Sequence, residues 1–163
     1  MSNPIELNQS RTSDAESGNS QEFVTFTIAG QLFGIPVLQV QDVLSSYHIT
    51  PIPLAPPEII GSLNLRGRVI TAIDVRIRLG LPKQAADADS MSIVAESKGE
   101  LYSLMVDSVG EVLALSPSAF ERNLPTLDAK FRAFSEGIYR LEGQLLVVLD
   151  VNRLLDYEHS DAA

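Results

Sequence analysis

Protein chemistry needs a nucleophile, a proton carrier, a metal cage or a phosphate cradle, and this 163-residue chain offers few candidates for any of them. It has no cysteine, which removes thiolate nucleophiles, disulfides and cysteine-based zinc sites and fits a reducing compartment. Its two histidines, His48 and His159, have no second His or Cys at ligand spacing, so both are expected in solvent. Asp87 and Asp89 resemble half of a metal site but sit among small residues with no further ligand, where a flexible linker is expected. Asp74 and Asp150 are the carboxylates most closely tied to structure. Each ends an apolar run and precedes a valine, so helix capping explains them more simply than acid–base work. There is no specific glycine-rich phosphate loop. The expectation is a protein without catalysis, metal or cofactor.

A net charge of −9 and a sequence pI near 4.6 disfavour nonspecific binding to nucleic acid or anionic lipid, and leave proteins as the expected partners. No apolar run is long enough to span a bilayer, and the start of the chain lacks the basic and apolar regions of a signal peptide, so a cytoplasmic location is expected. Against the acidic background Arg66, Arg68, Arg76 and Arg78 form a cluster. Singly each reads as an ordinary ion-pairing residue; as a group they suggest partner contact.

The elements that must position these residues are organised around Gly61 to Gly80, which reads as strand, turn, strand and short helix. Leu63 and Leu65 alternate with polar residues, Gly67 permits a positive φ, Val69 to Ile73 is β-prone, and Asp74 stands at an N-cap before Val75 and Leu79. The pattern recurs, because Gly61, Leu65, Gly67, Asp74 and Val75 match Gly137, Leu141, Gly143, Asp150 and Val151 at a constant offset of 76. Upstream, the segment from Gln31 to Leu44 aligns without gaps on Glu100 to Leu113 at an offset of 69. The chain therefore reads as two copies of one unit, about 22–82 and 91–155, with a tail at 1–21 expected to be disordered and a C-terminal tail at 156–163, frayed from Glu158 onward. The matched pairs Leu65 and Leu141, Val69 and Leu145, and Ile73 and Leu149 are expected to be buried in corresponding positions.

In chain order, Phe23 to Ile28 and Leu32 to Val37 read as a hairpin, and Val40, Val43 and Leu44 have the i, i+3, i+4 spacing of a short helix. Val109, Val112 and Leu113 repeat that spacing, with strand equally compatible there. Four prolines between Ile49 and Pro57 demand an extended connector. Short strands at regular spacing predict a mainly β fold of two pseudo-equivalent small barrels, one per copy, with a few short helices.

Val40-Gln-Asp-Val-Leu, the Thr50-Pro-Ile-Pro connector, Gly61 with Asn64-Leu-Arg-Gly, and Ile73-Asp-Val-Arg followed by Leu79-Gly together resemble the CheW family of bacterial chemotaxis coupling proteins, from about Glu22 to Leu155. The resemblance implies two SH3-like β-barrel subdomains around a shared core. It also implies a non-catalytic adaptor bridging the cytoplasmic tips of methyl-accepting chemotaxis receptors to the regulatory domain of the histidine kinase CheA, in membrane-associated arrays and without membrane insertion. The chain has room for neither a kinase core nor a receiver domain, so the stand-alone type is expected. The positions matching the family's receptor groove are Val40, Gly61 and Val112; the two valines read equally well as core. Arg66 matches a family Arg, and Asp42 a family acidic residue that is usually Glu. Arg66 is expected to organise the receptor and kinase interface by direct contact or by positioning Asp42. The alternatives are a CheW-like scaffold in a non-motility receptor pathway and a small ligand-binding or catalytic β-barrel.

Overall fold

The structure is a computed structural model and describes residues 20–45, 48–83, 90–122 and 127–155. Most of the expected N-terminal tail, the linker carrying Asp87 and Asp89, and the C-terminal tail with His159 lie outside the described residues.

The alternating segment at the start folds as β1 (Gln21–Ile28) and β2 (Gln31–Pro36), joined by Ala29 and Gly30 at φ +52° and +81°, the left-handed pair that a two-residue hairpin requires. A 3-10 turn at Val37–Gln39 leads into β3 (Val40–Leu44). The expected short helix at this position is therefore a strand. A ladder with a neighbouring strand satisfies the backbone of these residues, and Val43 faces outward instead of joining a buried stripe. The central stretch forms β4 (Ile59–Leu65), β5 (Arg68–Asp74) and helix α1 (Val75–Arg78) as expected. The remainder is β6 (Met91–Ser97), β7 (Glu100–Val106), β8 (Ser108–Leu115), β9 (Phe120–Glu121), α2 (Ala129–Arg132), β10 (Ser135–Leu141), β11 (Gln144–Leu149) and α3 (Val151–Leu154).

Two sheets result, ordered β8-β1-β2-β11-β10-β9 and β3-β6-β7-β5-β4. They are the expected pair of SH3-like barrels, but the expectation that each copy closes its own barrel is corrected. The first sheet joins β1 and β2 of the first copy to β8–β11 of the second, and the second sheet joins β6 and β7 of the second copy to β3–β5 of the first. Parallel pairings make both joins: β2 with β11 and β5 with β7. A large core between the sheets includes Phe26, Phe33, Ile73, Ile93, Leu104, Val147 and Leu149. Each sheet also covers a smaller core, one holding Leu63, Ile70 and Ala72 and the other Tyr139, Leu146 and Val148, which correspond at the offset of 76.

The matched hairpins are equivalent in detail. Asp74 caps α1 by accepting the Arg76 N–H at 3.0 Å, and Asp150 caps α3 by accepting the Arg153 N–H at 3.1 Å. The backbone N–H groups of the same two aspartates donate to the Glu58 and Phe134 carbonyls, both at 2.7 Å. Ile73 and Leu149 are fully buried, and Leu65 and Leu141 are half-buried against the small cores. Val69 departs from the expectation and is 76% exposed. The β5–β7 ladder begins only at Thr71, so the hairpin tip projects beyond it, whereas Leu145 packs against the large core.

Gly61 and Gly137 sit at matching bulges, where the connector crosses the first hairpin and β9 lies against the second. A Cβ on Gly61 would lie 2.2 Å from the Thr50 carbonyl oxygen, and one on Gly137 would lie 2.3 Å from the Phe120 ring. The connector itself holds Leu54 at φ +63°, a conformation that costs a bulky side chain about 1–2 kcal/mol. Gly61→Ala is expected to destabilise the fold by about 1–3 kcal/mol, because the opposing atom is backbone and must shift. Equilibrium urea unfolding checks this; a midpoint unchanged from wild type would mean that the connector yields freely.

Candidate functional site

Arg66 occupies the tip of the β4–β5 hairpin at φ +53°, followed by Gly67 at +86°, and the Asn64 side-chain carbonyl accepts the Gly67 N–H at 3.0 Å to fix the turn. Its guanidinium Nη2 lies 2.9 Å from Asp42 Oδ2, with the Arg66 side chain 75% exposed and that of Asp42 24% exposed. Asp42 is on β3, and β3 and β4 are the two outer strands of their sheet. The ion pair thus ties one edge of the sheet to the hairpin tip at the other, across a seam with no ladder between the two strands. Of the two roles expected for Arg66, direct contact at the interface or positioning of Asp42, the second requires an ion pair between the two side chains, and that pair is present. The other Asp42 oxygen accepts the Val43 N–H at 2.8 Å, which orients the carboxylate. Such an exposed pair is worth about 0–1 kcal/mol, so it holds geometry more than stability.

The other arginines of the cluster divide by role. Arg76 donates through Nε and Nη2 to both oxygens of Asp107, at 2.9 and 2.8 Å, and Asp107 also accepts the Ala29 N–H at 2.8 Å. Arg78 donates to the Leu154 carbonyl at 2.6 Å and lies 5.0 Å from the centre of the Phe134 ring. Both therefore tie one barrel to the other, and Arg68 is left exposed beside Arg66 at the tip. Reading the sequence missed Asp107. The signal was present, since the gapless alignment places this aspartate opposite Leu38, a charge where the other copy carries an aliphatic residue.

The remaining predicted positions fall in different places. Val40 is half-buried and packs against the large core, which agrees with the core alternative for that residue. Gly61 has a packing reason of its own, the close approach of Thr50. Val112 stands on β8 in the other sheet, opposite Val24, and is 48% exposed. The structure thus brings together Asp42 and Arg66, with Val40 on the same strand, and sets Val112 on the other barrel. His48 is exposed, as expected. Among the described residues no three His, Cys, Asp or Glu side chains group as metal ligands would. No helix is long and apolar enough to cross a membrane.

Residues 22–159 match the model of the CheW-like domain. The chain belongs to the CheW family. It is 27% identical to the chemotaxis protein CheW of Rhizobium meliloti, with 90% of this chain and 95% of that protein aligned. It is 29% identical to the Bacillus subtilis chemotaxis protein CheW, over 91% and 96% of the two chains. The crystal structure of the scaffolding protein CheW from Thermoanaerobacter tengcongensis superposes with a TM-score of 0.76 at 32% identity, covering 84% of this chain and 93% of that one. The SH3-like expectation is thereby met.

In this CheW-family chain the Asp107 carboxyl is held below the ordinary carboxylate range, chiefly by the hydrogen bonds from Arg76, against the opposing effect of burial. A carboxylate with a depressed folded-state pKa contributes stability above its unfolded pKa of about 3.9, and loses that contribution as pH falls through the lower folded value. Asp107→Asn is accordingly expected to destabilise the protein by about 1.5–3 kcal/mol at neutral pH. The gap between variant and wild type should narrow below about pH 4. Urea unfolding of both proteins from pH 7 to pH 3 measures it, and a gap independent of pH would assign the loss to packing instead.

Proposed function

We propose that this chain is a chemotaxis adaptor which couples the cytoplasmic tips of methyl-accepting receptors to the histidine kinase CheA, working in the cytoplasm at membrane-associated receptor arrays and catalysing nothing itself. The reading is carried by the match to the CheW-like domain along residues 22–159. It is supported by the site, because the Arg66 guanidinium is anchored on one side by Asp42 and left open to solvent on the other. A cation fixed in this way on an acidic protein can recognise a partner carboxylate without the entropy cost of ordering a free arginine. Val40, Asp42, Gly61, Arg66 and Val112 together make up the proposed contact surface for receptor and kinase, with Gly61 acting through the shape of the connector.

Three variants test it. Arg66→Ala is expected to leave the melting temperature nearly unchanged and to lower CheA activation in reconstituted receptor arrays. The exchanged pair Asp42→Arg with Arg66→Asp keeps an ion pair across the seam but inverts the outward charge, and is expected to remain inactive. Full activation by a well-folded Arg66→Ala protein would remove Arg66 from the surface, and activity of the exchanged pair would reduce its role to holding Asp42. Val112→Met, which adds bulk to an exposed site, should weaken capture of receptor tips while unfolding stays cooperative. Capture at the wild-type level would take Val112 out of the surface.

A further inference from the structure

Among the described residues the chain passes from one sheet to the other twice, and the repeat makes the two passages equivalent. The first runs through the 3-10 turn Val37–Gln39 from β2 to β3, and the second through Asp107 from β7 to β8. The offset of 69 places Leu38 opposite Asp107, yet the fold treats the two residues differently. Leu38 is 93% exposed and no side chain caps its turn, so its side chain adds no tie at the first passage. Asp107 is 17% exposed, accepts Nε and Nη2 of Arg76 and the Ala29 N–H, and donates its own N–H to the Thr27 carbonyl at 3.1 Å. The remaining guanidinium nitrogen of Arg76 donates to the Pro82 carbonyl, also at 3.1 Å. One arginine therefore grips the second passage, the β1–β2 turn through Asp107, and the segment that follows α1.

The large core resists separation of the sheets, but apolar attraction is non-directional and packed layers can slide. A bidentate guanidinium–carboxylate pair adds what that packing lacks, a fixed orientation. Two other polar ties between the barrels, Arg78 with the Leu154 carbonyl and Ser97 with Asn152, are single hydrogen bonds of 2.6 Å on α3. The proposed contact surface is divided by this junction. Val40 is the first residue after the first passage, and Val112 lies five residues beyond Asp107 on β8. A receptor tip that touches both valines spans the junction, so the distance between its contacts follows the angle between the barrels. We propose that Arg76 and Asp107 are positioning residues for receptor capture: the pair sets the angle between the barrels and with it the spacing of Val40 and Val112. This inference rests on the adaptor reading and deepens it.

The test uses the full chain and purified receptor cytoplasmic fragments, at a temperature where unfolding curves show every variant folded. Asp107→Asn keeps the size of the side chain and removes the charge-assisted pair. It is expected to lower receptor affinity by about three- to thirtyfold, the range for a residue that acts through intervening structure. Arg76→Lys keeps the charge but loses the two-point fork, and is expected to fall between Asp107→Asn and wild type. Val148→Ala and Leu146→Ala thin the small core of one barrel and leave both members of the pair in place, so they are expected to keep wild-type affinity despite lower stability. Because the chain has no native cysteine, spin labels on Glu100→Cys in one barrel and Gln144→Cys in the other report the angle as a distance by pulsed electron paramagnetic resonance. Asp107→Asn is expected to shift or broaden that distance, and the two core variants to leave it unchanged. Wild-type affinity or an unchanged label distance in Asp107→Asn would overturn the positioning role, as would an equal loss of affinity in the core variants. Wild-type protein that failed to capture the fragments would instead overturn the adaptor reading, and the positioning role with it.

Discussion

The structure depends on a constraint of pairing: neither copy of the repeat completes a sheet by itself. β2 finds its second neighbour in β11, with Leu32 opposite Leu146, and β5 finds its own in β7, with Thr71 opposite Tyr102. Both pairings are parallel, so neither can be made by a tight turn, and each requires chain from the other copy to be in place. The barrels are therefore expected to form and melt as one cooperative unit. The return from the second sheet to the first is abrupt. β7 ends at Val106 and β8 begins at Ser108, so Asp107 alone makes the passage. Through Arg76 and the Ala29 N–H, that residue fastens the end of β5 to the β1–β2 turn.

Given this weave, most ionic groups near the centre serve architecture. Asp74 and Asp150 cap helix N-termini, Arg76 and Asp107 clamp the passage, and Arg78 satisfies a carbonyl at the end of α3. Burial raises the Asp74 pKa although two backbone N–H groups and nearby cations pull it down, as expected of a carboxylate kept in the interior for its hydrogen bonds. An isolated carboxylate with a raised pKa often signals acid–base catalysis, but here the partners of the group are helix N–H groups and its burial comes from strand β5. Its perturbation is a consequence of capping.

Much of this was legible in the sequence, and what was not has physical causes. The two hairpins, their turns and the capped helices could be read because period-two alternation, Gly and Asp are local signals, and the repeat doubled each of them. The exchange of hairpins could not be read, because an apolar β-strand does not state which neighbour it will pair with. Val40, Val43 and Leu44 misled because three apolar residues in five satisfy both periods, and a tertiary ladder with β6 decided between them. Val69 misled because its burial depends on how far β7 reaches. In the candidate site the family pattern pointed to Arg66 and Asp42, and the curvature of the sheet, which no local pattern encodes, brings them to 2.9 Å.

The repeat also explains why the charges at the two hairpin tips matter. A chain built from two equivalent halves presents two similar ends, and a partner reading shape alone could dock on either. The residues break that equivalence. Arg66 corresponds to Glu142 and Asp42 to Glu111, so an ion pair at one barrel is matched by two exposed carboxylates at the other. The turns differ as well: Gly67 and Gly143 share a φ near +85°, at +86° and +82°, but Arg66 is left-handed and Glu142 is not. Exposed charges contribute little to stability, so folding does not require this reversal. It does give the molecule a direction. An acidic group approaching from outside would meet a cation at one end and carboxylates at the other, so the two ends of a nearly symmetric fold are electrostatically distinguishable.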